Sequence, residues 1–318
     1  MKPPYTITSE ILWLVSAISQ KIGEANAKHL VRQNPKLRKQ NKIKTIHSTL
    51  GIEGNTLTEK QITALIENKR VVGPEKDIKE VLNALSVYKE LKQFRFYSEK
   101  DFLKAHKLLM SGLILKPGAF RSKGVGIVTG SLIKHLAPPH HNVKFLMADL
   151  FDYLKSDADL VLIKSCVFHY EMEFIHPFLD GNGRMGRLWQ TLILMNEYPL
   201  FEFLPFETLI AKNQKEYYRA LSASDKEGSS TKFIVFMLKI IDESLSLLLN
   251  NTARKLNESE RLELFLETNE DAFTRKDYLK YHSTISSATA SRDLKLGVEQ
   301  KLIKMIGDKK TATYKKKK

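Results

Sequence analysis

Apolar side chains recur every three or four positions along most of the chain, which is the spacing of a helix with one buried face. The first such run covers residues 8–30, and Thr58 with Gln61 has the spacing of a capping box that starts another helix. Amphipathic helices are also predicted at 75–92, 98–115, 144–155, 158–175, 184–197, 207–224 and 230–250. The pattern indicates a mainly α-helical protein.

Residues 116–143 break this pattern. They contain three prolines and four glycines, and Val125 and Ile127 alternate with glycines. Alternation between turn-forming residues is typical of a β-hairpin. We therefore predict a short hairpin followed by a loop.

The last 62 residues, 257–318, have a third pattern. Three short helical runs come first, and a segment that turns at Gly307 follows them. This order predicts a small winged helix, and the polar run at 250–260 predicts the boundary before it. Ser287, Thr289, Arg292 and Lys295 would then face a DNA major groove, unless the module binds protein instead.

Composition is that of a globular protein, with 42% hydrophobic and 27% charged residues in a chain of 318. A single cysteine, Cys166, excludes a disulfide scaffold and a cysteine-rich zinc site. The sequence has neither an apolar run of membrane-spanning length nor an apolar N-terminal signal. We expect a cytoplasmic protein that does not act at a membrane.

The net charge of +15 lies mainly at the two ends of the chain. Residues 1–50 hold 9 basic and 2 acidic side chains, and residues 254–318 hold 16 and 10. Residues 51–253 hold 26 and 24, so the middle is nearly neutral. This distribution argues against a continuous nucleic-acid groove through the body of the protein.

One segment, HPFLDGNGRMGR from His176 to Arg187, carries the residues for phosphate chemistry. Gly181, Asn182 and Gly183 bring bare backbone N–H groups to the start of a helix, where the macrodipole favours an anion. Arg187 lies three residues after Arg184, and on one helix face the two suit phosphate oxygens.

Two further side chains of this segment complete the set. His176 has the side chain of a base near neutral pH, and Asp180 is a hard oxygen ligand for Mg²⁺ beside a phosphate. The motif GxxxxGK(S/T) is absent, which excludes a P-loop. A calcium loop starting at Asp180 fails because Arg184, Met185 and Thr191 occupy its fifth, sixth and twelfth positions. The segment predicts phosphoryl or nucleotidyl transfer.

The same segment resembles the signature of the Fic family, HPFxDGNGRxxR, at every specified position. The resemblance extends over about residues 5–225 and includes Gly118-Ala119-Phe120-Arg121, His106 and Pro138. It implies a Fic-type helical bundle with a β-hairpin flap. The implied division is an N-terminal helical region 1–95, a catalytic core 96–250 and the winged-helix module 251–318.

The resemblance also implies an activity, the transfer of AMP from ATP to a Ser, Thr or Tyr hydroxyl of a target protein, including the protein itself. His176 would be the base, and Asp180 would hold Mg²⁺ between the α- and β-phosphates. The implied nucleotide contacts are Gly181, Asn182, Gly183, Arg184, Gly186, Arg187 and Tyr218. The implied target-binding flap is Lys123, Gly124, Val125, Gly126, Ile127 and Val128.

A second segment, Thr49-Leu50-Gly51-Ile52-Glu53-Gly54, resembles the family's inhibitory pattern (S/T)xxxE(G/N). Thr49 and Glu53 are one helical turn apart, and Gly54 suits the end of a helix. The resemblance implies that Glu53 pairs with Arg187 and displaces the γ-phosphate. The expected enzyme is therefore autoinhibited.

Other interpretations remain open from sequence. The same loop would also serve removal of AMP or transfer of another phosphate-containing group. Alternatively, the protein is a DNA-binding regulator whose Fic site senses ATP. His176 would then be only a helix-end residue, and Glu53 a surface carboxylate. No motif identifies the target protein or its acceptor residue. The oligomeric state, with a homo-oligomer as one alternative, is also left open.

Overall fold

The computed structural model describes residues 2–27, 35–124, 126–129, 132–156, 159–252, 257–269, 272–282, 285–307 and 312–317. The helices in these ranges are α1 (Ser9–Ala27), α2 (Pro35–Ile52), α3 (Glu59–Ile66), α4 (Glu75–Glu90), α5 (Glu99–Leu109), α6 (His140–Lys155), α7 (Val161–Ile175), α8 (Asn182–Glu197), α9 (Glu207–Lys212), α10 (Gln214–Glu227), α11 (Thr231–Thr252), α12 (Glu258–Thr268), α13 (Arg275–Tyr281) and α14 (Ser287–Glu299). The strands are β1 (Gly126–Thr129), β2 (Leu132–Leu136), β3 (Phe273–Thr274), β4 (Ile303–Ile306) and β5 (Thr313–Lys316). The predicted mainly α fold is confirmed.

The chain divides into two compact units, one formed by residues 1–31 with 39–249 and the other by 32–38 with 250–318. Among the helices of the described ranges, none is both long and apolar enough to cross a bilayer. The predicted division of the first 250 residues at position 95 stays a prediction.

Helices α7 and α8 form the centre of the first unit. Both are buried on nearly all sides, as expected for core helices whose apolar residues are not confined to one stripe. Phe102 of α5 packs against this pair, with its ring centroid 6.1 Å from that of Phe168 in α7 and 5.0 Å from that of Trp189 in α8. It also stacks on Phe178 of the loop between them, at 5.4 Å. The loop between α7 and α8 is therefore fixed at both ends by the densest part of the core.

Local signals account well for some helix boundaries and poorly for others. The capping box at α3 is formed as predicted, with Thr58 Oγ1 accepting from Gln61 N at 3.3 Å and Gln61 Oε1 accepting from Thr58 N at 2.9 Å. Helix α5 ends at Leu109 instead of 115, and the chain turns at Gly112, whose φ of 71° is left-handed. The single helix predicted at 207–224 is two helices that meet at Asn213.

The predicted hairpin is present, as β1 and β2 pair antiparallel with Gly126 opposite Leu136 and Thr129 opposite Leu132. Its register shifts between Ile127 and Val128. Val125, one of the predicted flap residues, lies outside the described residues.

The second unit follows the order α12, β3, α13, α14, β4, β5, with its three strands in the antiparallel order β3–β5–β4. A buried ion pair joins its helices. Arg261 of α12 donates from Nε and Nη2 to the two carboxylate oxygens of Asp293 of α14, both at 2.7 Å. The Tyr278 hydroxyl of α13 donates to the same carboxylate at 3.0 Å. Asp293 therefore faces the interior of this unit.

Two glycines in helices predict opposite effects of an added methyl group. A Cβ at Gly297 of α14 would lie 2.1 Å from Leu262 Cδ2, whereas one at Gly23 of α1 would meet nothing within 4 Å. We expect Gly297→Ala to lower the free energy of unfolding by about 1–3 kcal/mol through overpacking. Gly23→Ala should raise it by about 0.5–1 kcal/mol, because glycine loses more conformational entropy on folding. Urea unfolding measures both, and a stabilised Gly297→Ala variant would contradict this packing.

Candidate functional site

His176 ends helix α7 in an uncommon backbone conformation. It is the C-cap residue, with φ 51° and ψ 58° in the left-handed region, and its N–H donates to Met172 O at 3.1 Å. A non-glycine residue in this region carries strain of order 1–3 kcal/mol and stays there only when its surroundings enforce it. Such positions cluster at functional sites. The catalytic role of His176 stays a prediction.

The Asn182 side chain closes the loop that follows His176. Its Oδ1 accepts from the Phe178 N–H and its Nδ2 donates to the Phe178 carbonyl, both at 2.9 Å. Gly181 precedes it with φ 88°, a conformation that favours glycine. Asn182 therefore shapes the loop with its side chain and has only its backbone N–H left for a ligand.

His106 of α5 binds the same loop through the Asp180 carbonyl and the Phe178 ring. Its Nδ1 accepts from the Gly118 N–H at 2.8 Å, so the proton is on Nε2, which donates to the Asp180 carbonyl at 3.0 Å. The ring stacks on Phe178 with centroids 3.5 Å apart and planes at 4°. Burial lowers the pKa of His106 to about 4, so the ring is neutral near pH 7.

Arg184 lies between two carboxylates. Its Nη2 donates to Asp180 Oδ1 at 2.9 Å, and its Nη1 donates to Glu80 Oε1 at 3.0 Å. The side chains of Arg184 and Glu80 are only 4% and 6% exposed, whereas that of Asp180 is 47% exposed. Arg184 is therefore held in place, and Asp180 is open to a ligand.

Glu80 also links this arginine to the segment around the inhibitory pattern. Its Oε2 accepts from Asn55 Nδ2 at 2.8 Å, and Asn55 directly follows Gly54. The sequence interpretation did not include Glu80. Its signal was a carboxylate on the apolar face of α4, beside Val81 and Ala84.

Arg187 is fully buried and makes three hydrogen bonds to the inhibitory segment. Its Nε donates to Thr49 Oγ1 at 2.8 Å, and its Nη2 donates to the Thr49 carbonyl at 3.0 Å and to Glu53 Oε1 at 2.6 Å. The structure thus brings together three residues that were named from two separate motifs.

The end of helix α2 fixes the position of Glu53. The N–H of Asn55 donates to the Leu50 carbonyl at 3.1 Å, and the N–H of Gly54 donates to the Gly51 carbonyl at 3.0 Å. With Gly54 at φ 92°, these bonds form a Schellman motif in which Glu53 is the C-cap residue. Gly54 therefore ends the helix in a conformation that fixes the position of the Glu53 backbone.

Helix α2 is held against residues 203–214, which we call the α2 clasp. Four contacts follow one stripe of the helix, namely Asn41 to the Phe203 carbonyl at 3.0 Å, Thr45 to Glu207 at 3.4 Å, Ser48 to Thr208 at 3.2 Å and Gln214 to the Ile52 carbonyl at 3.0 Å. Glu207 also accepts from Thr191 of α8 at 3.2 Å, and burial raises its pKa to about 7. The clasp joins α2 to the helix that carries Arg187.

The carboxylate of Glu53 lies against the N-terminal turn of α8. A Cβ at Gly183 would be 2.5 Å from Glu53 Oε1 and 3.0 Å from Arg187 Nη1, so only glycine allows this approach. The first N–H groups of a helix have no intrahelical acceptor, and the macrodipole favours negative charge there. An intramolecular carboxylate thus occupies an anion-binding site formed by Gly183 and Arg187.

A second carboxylate, Glu173 of α7, lies beside this site. Its Oε1 accepts from the Tyr217 hydroxyl at 3.4 Å, and it would contact a Cβ at Gly186 at 3.2 Å. Burial alone would raise the pKa of Glu173, but the hydrogen bond and charge of His169, followed by other nearby positive groups, lower it. A Cβ at Gly186 would lie 2.8 Å from His169 Cδ2, so Gly186 provides the room for His169 first and for Glu173 beside it. The predicted nucleotide role of Gly186 stays a prediction. Sequence interpretation missed Glu173.

The remaining predicted site residues are Tyr218 and the residues of the hairpin. Tyr218 is 47% exposed, its ring is 5.3 Å from that of Tyr217, and burial followed by the charge of Glu53 raises its pKa. In the flap, Lys123 and Gly124 are exposed, and Gly126, Ile127 and Val128 belong to β1. Their contacts with a nucleotide or a target stay predictions.

Asp180 fits a magnesium ion that arrives with a nucleotide. Among the described residues, no three His, Cys, Asp or Glu side chains are grouped to hold a metal by themselves. Mg²⁺ usually takes one or two carboxylates and completes its shell with phosphates and water. A half-exposed carboxylate beside an anion site suits that mode of binding.

Comparisons with known proteins agree on one family. The Fic/DOC family model matches residues 96–194. The crystal structure of a Fic family protein from Desulfovibrio desulfuricans G20 is 39% identical, with a TM-score of 0.77, over 100% of this chain and 98% of that one. Fic-1 (residues 134–508) from C. elegans, at 22% identity and a TM-score of 0.58 over 76% of this chain and 74% of that one, shows the fold alone.

Curated relatives named protein adenylyltransferase Fic match a smaller share of their own length. The protein from Drosophila mojavensis is 29% identical over 74% of this chain and 47% of its own. That from Drosophila willistoni is 30% identical over 64% of this chain and 41% of its own. The chain spans less than half the length of these two relatives.

The neutral state of His106 predicts an acid-sensitive site. The unfolded chain takes up this proton near pH 6.5, and the folded chain only near pH 4, so stability falls as the pH drops between these values. We expect the wild type to lose up to about 3 kcal/mol relative to His106→Asn between pH 7 and pH 4. Urea unfolding at both pH values measures this difference.

The comparison with His106→Asn removes the contribution of other titrating groups, such as Glu207. His141→Asn, at an exposed position, is the control and should follow the wild type at each pH. An equal difference between wild type and His106→Asn at pH 7 and pH 4 would rule out a neutral, buried His106.

Proposed function

Because this chain belongs to the Fic family, we propose that it is an autoinhibited protein adenylyltransferase. In this proposal it transfers AMP from ATP to a Ser, Thr or Tyr hydroxyl of a target protein, and also to itself. The observation that carries the proposal is the anion site of Gly183 and Arg187 at the start of α8, one loop after His176. The curated relatives that bear the adenylyltransferase name support it.

The reaction that we propose uses His176 as general base. His176 takes the proton of the acceptor hydroxyl while the hydroxyl oxygen bonds to the α-phosphorus of ATP. The bond from that phosphorus to the bridging oxygen breaks, and pyrophosphate leaves. The left-handed backbone of His176 ends helix α7 at this residue and begins the loop that leads to α8.

Charge stabilisation would come from α8 and its loop. Arg187, released from Glu53, would bind the γ-phosphate, and Arg184 would bind the β-phosphate, while the backbone N–H groups of Asn182 and Gly183 point to the same oxygens. Mg²⁺ held by Asp180 would neutralise phosphate charge. Arg184 and the start of α8 are held in place without a nucleotide, and such preorganisation is the condition for effective electrostatic stabilisation.

Inhibition in this proposal is competition for Arg187. A buried guanidinium needs an anionic partner, and Glu53 supplies one at 2.6 Å in the place that a γ-phosphate would take. The α2 clasp maintains this state, because it holds the helix that ends at Glu53. Activation would require Glu53 to leave while α2 stays folded or moves away.

Substitutions of Glu53 and of His176 should distinguish inhibition by Glu53 from catalysis by His176. We expect Glu53→Gly to raise self-modification with labelled ATP about tenfold or more, since the competing carboxylate is gone. His176→Ala in that variant should lower the rate about 10²- to 10⁴-fold, the usual contribution of a general base. Mass spectrometry should find an AMP adduct on a hydroxyl side chain.

Glu67→Gly is the matched control, because Glu67 also follows the last residue of a helix and forms ion pairs, with Lys39 and Lys69. It should leave labelling unchanged. Equal labelling of wild type and Glu53→Gly would refute autoinhibition by Glu53. Loss of a preformed adduct in place of its formation would favour AMP removal by the same loop.

A second candidate function, DNA binding by residues 251–318, is favoured by the orientation of two aspartates. The element order and the sheet of the second unit support a winged helix with α14 as its recognition helix. Asp293 is buried against Arg261, and Asp277 caps α13 through Thr274. Asp293 therefore does not reduce the positive charge of the exposed face of α14, which carries Arg292 and Lys295, the latter 3.9 Å from Glu299.

A double variant tests this second function. Arg292→Ala with Lys295→Ala should weaken binding to a random DNA duplex and reduce the salt dependence of binding by about two phosphate contacts. The control removes two exposed lysines of the first unit, Lys104 and Lys155, with the same change in net charge. Fluorescence anisotropy at several salt concentrations measures both. Equal weakening by the two double variants would exclude a specific role for α14.

A further inference from the structure

Arg121 lies outside the signature, and its side chain binds backbone both at the end of α7 and at the base of the hairpin. It is 4% exposed. Its Nε donates to the His176 carbonyl at 2.8 Å, and its Nη2 donates to the Ile175 carbonyl at 3.3 Å. Its Nη1 donates to the Lys123 carbonyl at 2.9 Å, and Nη2 also donates to the Pro138 carbonyl at 2.5 Å. One guanidinium therefore satisfies four backbone carbonyls.

Three of the carbonyls that Arg121 binds are consecutive. Besides those of Ile175 and His176, the Pro177 carbonyl accepts from the Arg121 backbone N–H at 2.8 Å. The end of a helix presents carbonyls without intrahelical donors and a partial negative charge, which a guanidinium complements. These bonds supply the external restraint that the left-handed conformation of His176 requires.

The other two carbonyls flank the hairpin. Lys123 lies three residues before β1 begins at Gly126, and Pro138 lies two residues after β2 ends at Leu136. Arg121 thus connects both ends of the hairpin to the turn that contains His176. A movement of the hairpin base relative to His176 would break at least one of these bonds.

We infer that Arg121 is a positioning residue that keeps His176 aligned with the hairpin. The inference rests on the proposed function, in which His176 is the base and the hairpin holds the acceptor segment. The planar guanidinium with its five donors suits four carbonyls in different directions, whereas a lysine ammonium has three donors at one point. Arg121→Lys therefore keeps the positive charge but loses the planar arrangement of donors that reaches all four carbonyls.

The test uses the full chain with Glu53→Gly as parent. We expect Arg121→Lys and Arg121→Gln to lower the rate of self-modification at saturating ATP about 10- to 100-fold, because misplacement of a base by about 1 Å costs this much. The affinity for ATP should stay within about twofold, since Arg121 contacts none of Asp180, Gly183 or Arg187. Hydrogen exchange of the amides in 126–129 and 132–136 should become faster.

Lys164→Met provides the matched control. Lys164 is also a buried cation that binds carbonyls at the end of a helix, those of Leu154 at 3.4 Å and of Ser156, but it lies in the first turn of α7, away from the loop that follows this helix. It should reduce the thermal unfolding midpoint without changing the transfer rate. If Lys164→Met slows transfer as much as Arg121→Lys at an equal loss of stability, the role of Arg121 is structural and the inference is overturned.

Failure of the proposed function gives a different result. If the Glu53→Gly parent itself transfers no AMP, adenylyl transfer is excluded, and hydrogen exchange still tests Arg121. Faster exchange of both the hairpin and residues 176–178 in Arg121→Lys would support the link between them. Unchanged exchange in either segment would overturn it.

Discussion

The buried charge of Arg187 is the constraint on which the arrangement of the first unit depends. Its guanidinium is fully removed from solvent, and leaving such a charge without an anion costs about 3–5 kcal/mol. Glu53 satisfies it in this structure, together with two bonds to Thr49. Helix α2 must therefore lie where its last turn reaches α8, and the α2 clasp holds it there. In the proposed function a phosphate replaces the carboxylate, so inhibition and catalysis use the same electrostatic requirement.

The geometry of the loop after α7 is set by hydrogen bonds that side chains make to its backbone. Asn182 binds both polar groups of Phe178, neutral His106 binds the Asp180 carbonyl, and Arg121 binds the carbonyls on either side of His176. These bonds leave the side chain of Asp180 half exposed, and the first N–H groups of α8 have no intrahelical acceptor. The strained backbone of His176 is thus held by hydrogen bonds that are formed without any ligand.

Particular elements show how far sequence patterns reach. The capping box at Thr58 and the glycine end of α2 at Gly54 form as predicted, because both depend on residues within one turn. Helix α2 buries Ile43, Ile46 and Leu50 on one face, and Asn41, Thr45 and Ser48 on another face bind the clasp by hydrogen bonds. A hydrophobic pattern does not reveal the second face, because its contacts are hydrogen bonds. The early end of α5 was missed for a similar reason, because the turn at Gly112 overrides the apolar spacing that continues to position 115.

By itself, the sequence determined the helical class, the hairpin, the loop from His176 to Arg187 and the separate pattern that contains Glu53. These features are local, and their residues are fixed by spacing along the chain. The family resemblance implied the pair of Glu53 and Arg187, whereas the pairing of Glu80 with Arg184 is visible only in the tertiary structure. Glu80 reaches Arg184 across 104 positions and Glu53 reaches Arg187 across 134. The roles of His106, Arg121 and Glu173 also follow from packing, because burial and the presence of a partner decide whether such a group is charged, neutral or a support for backbone.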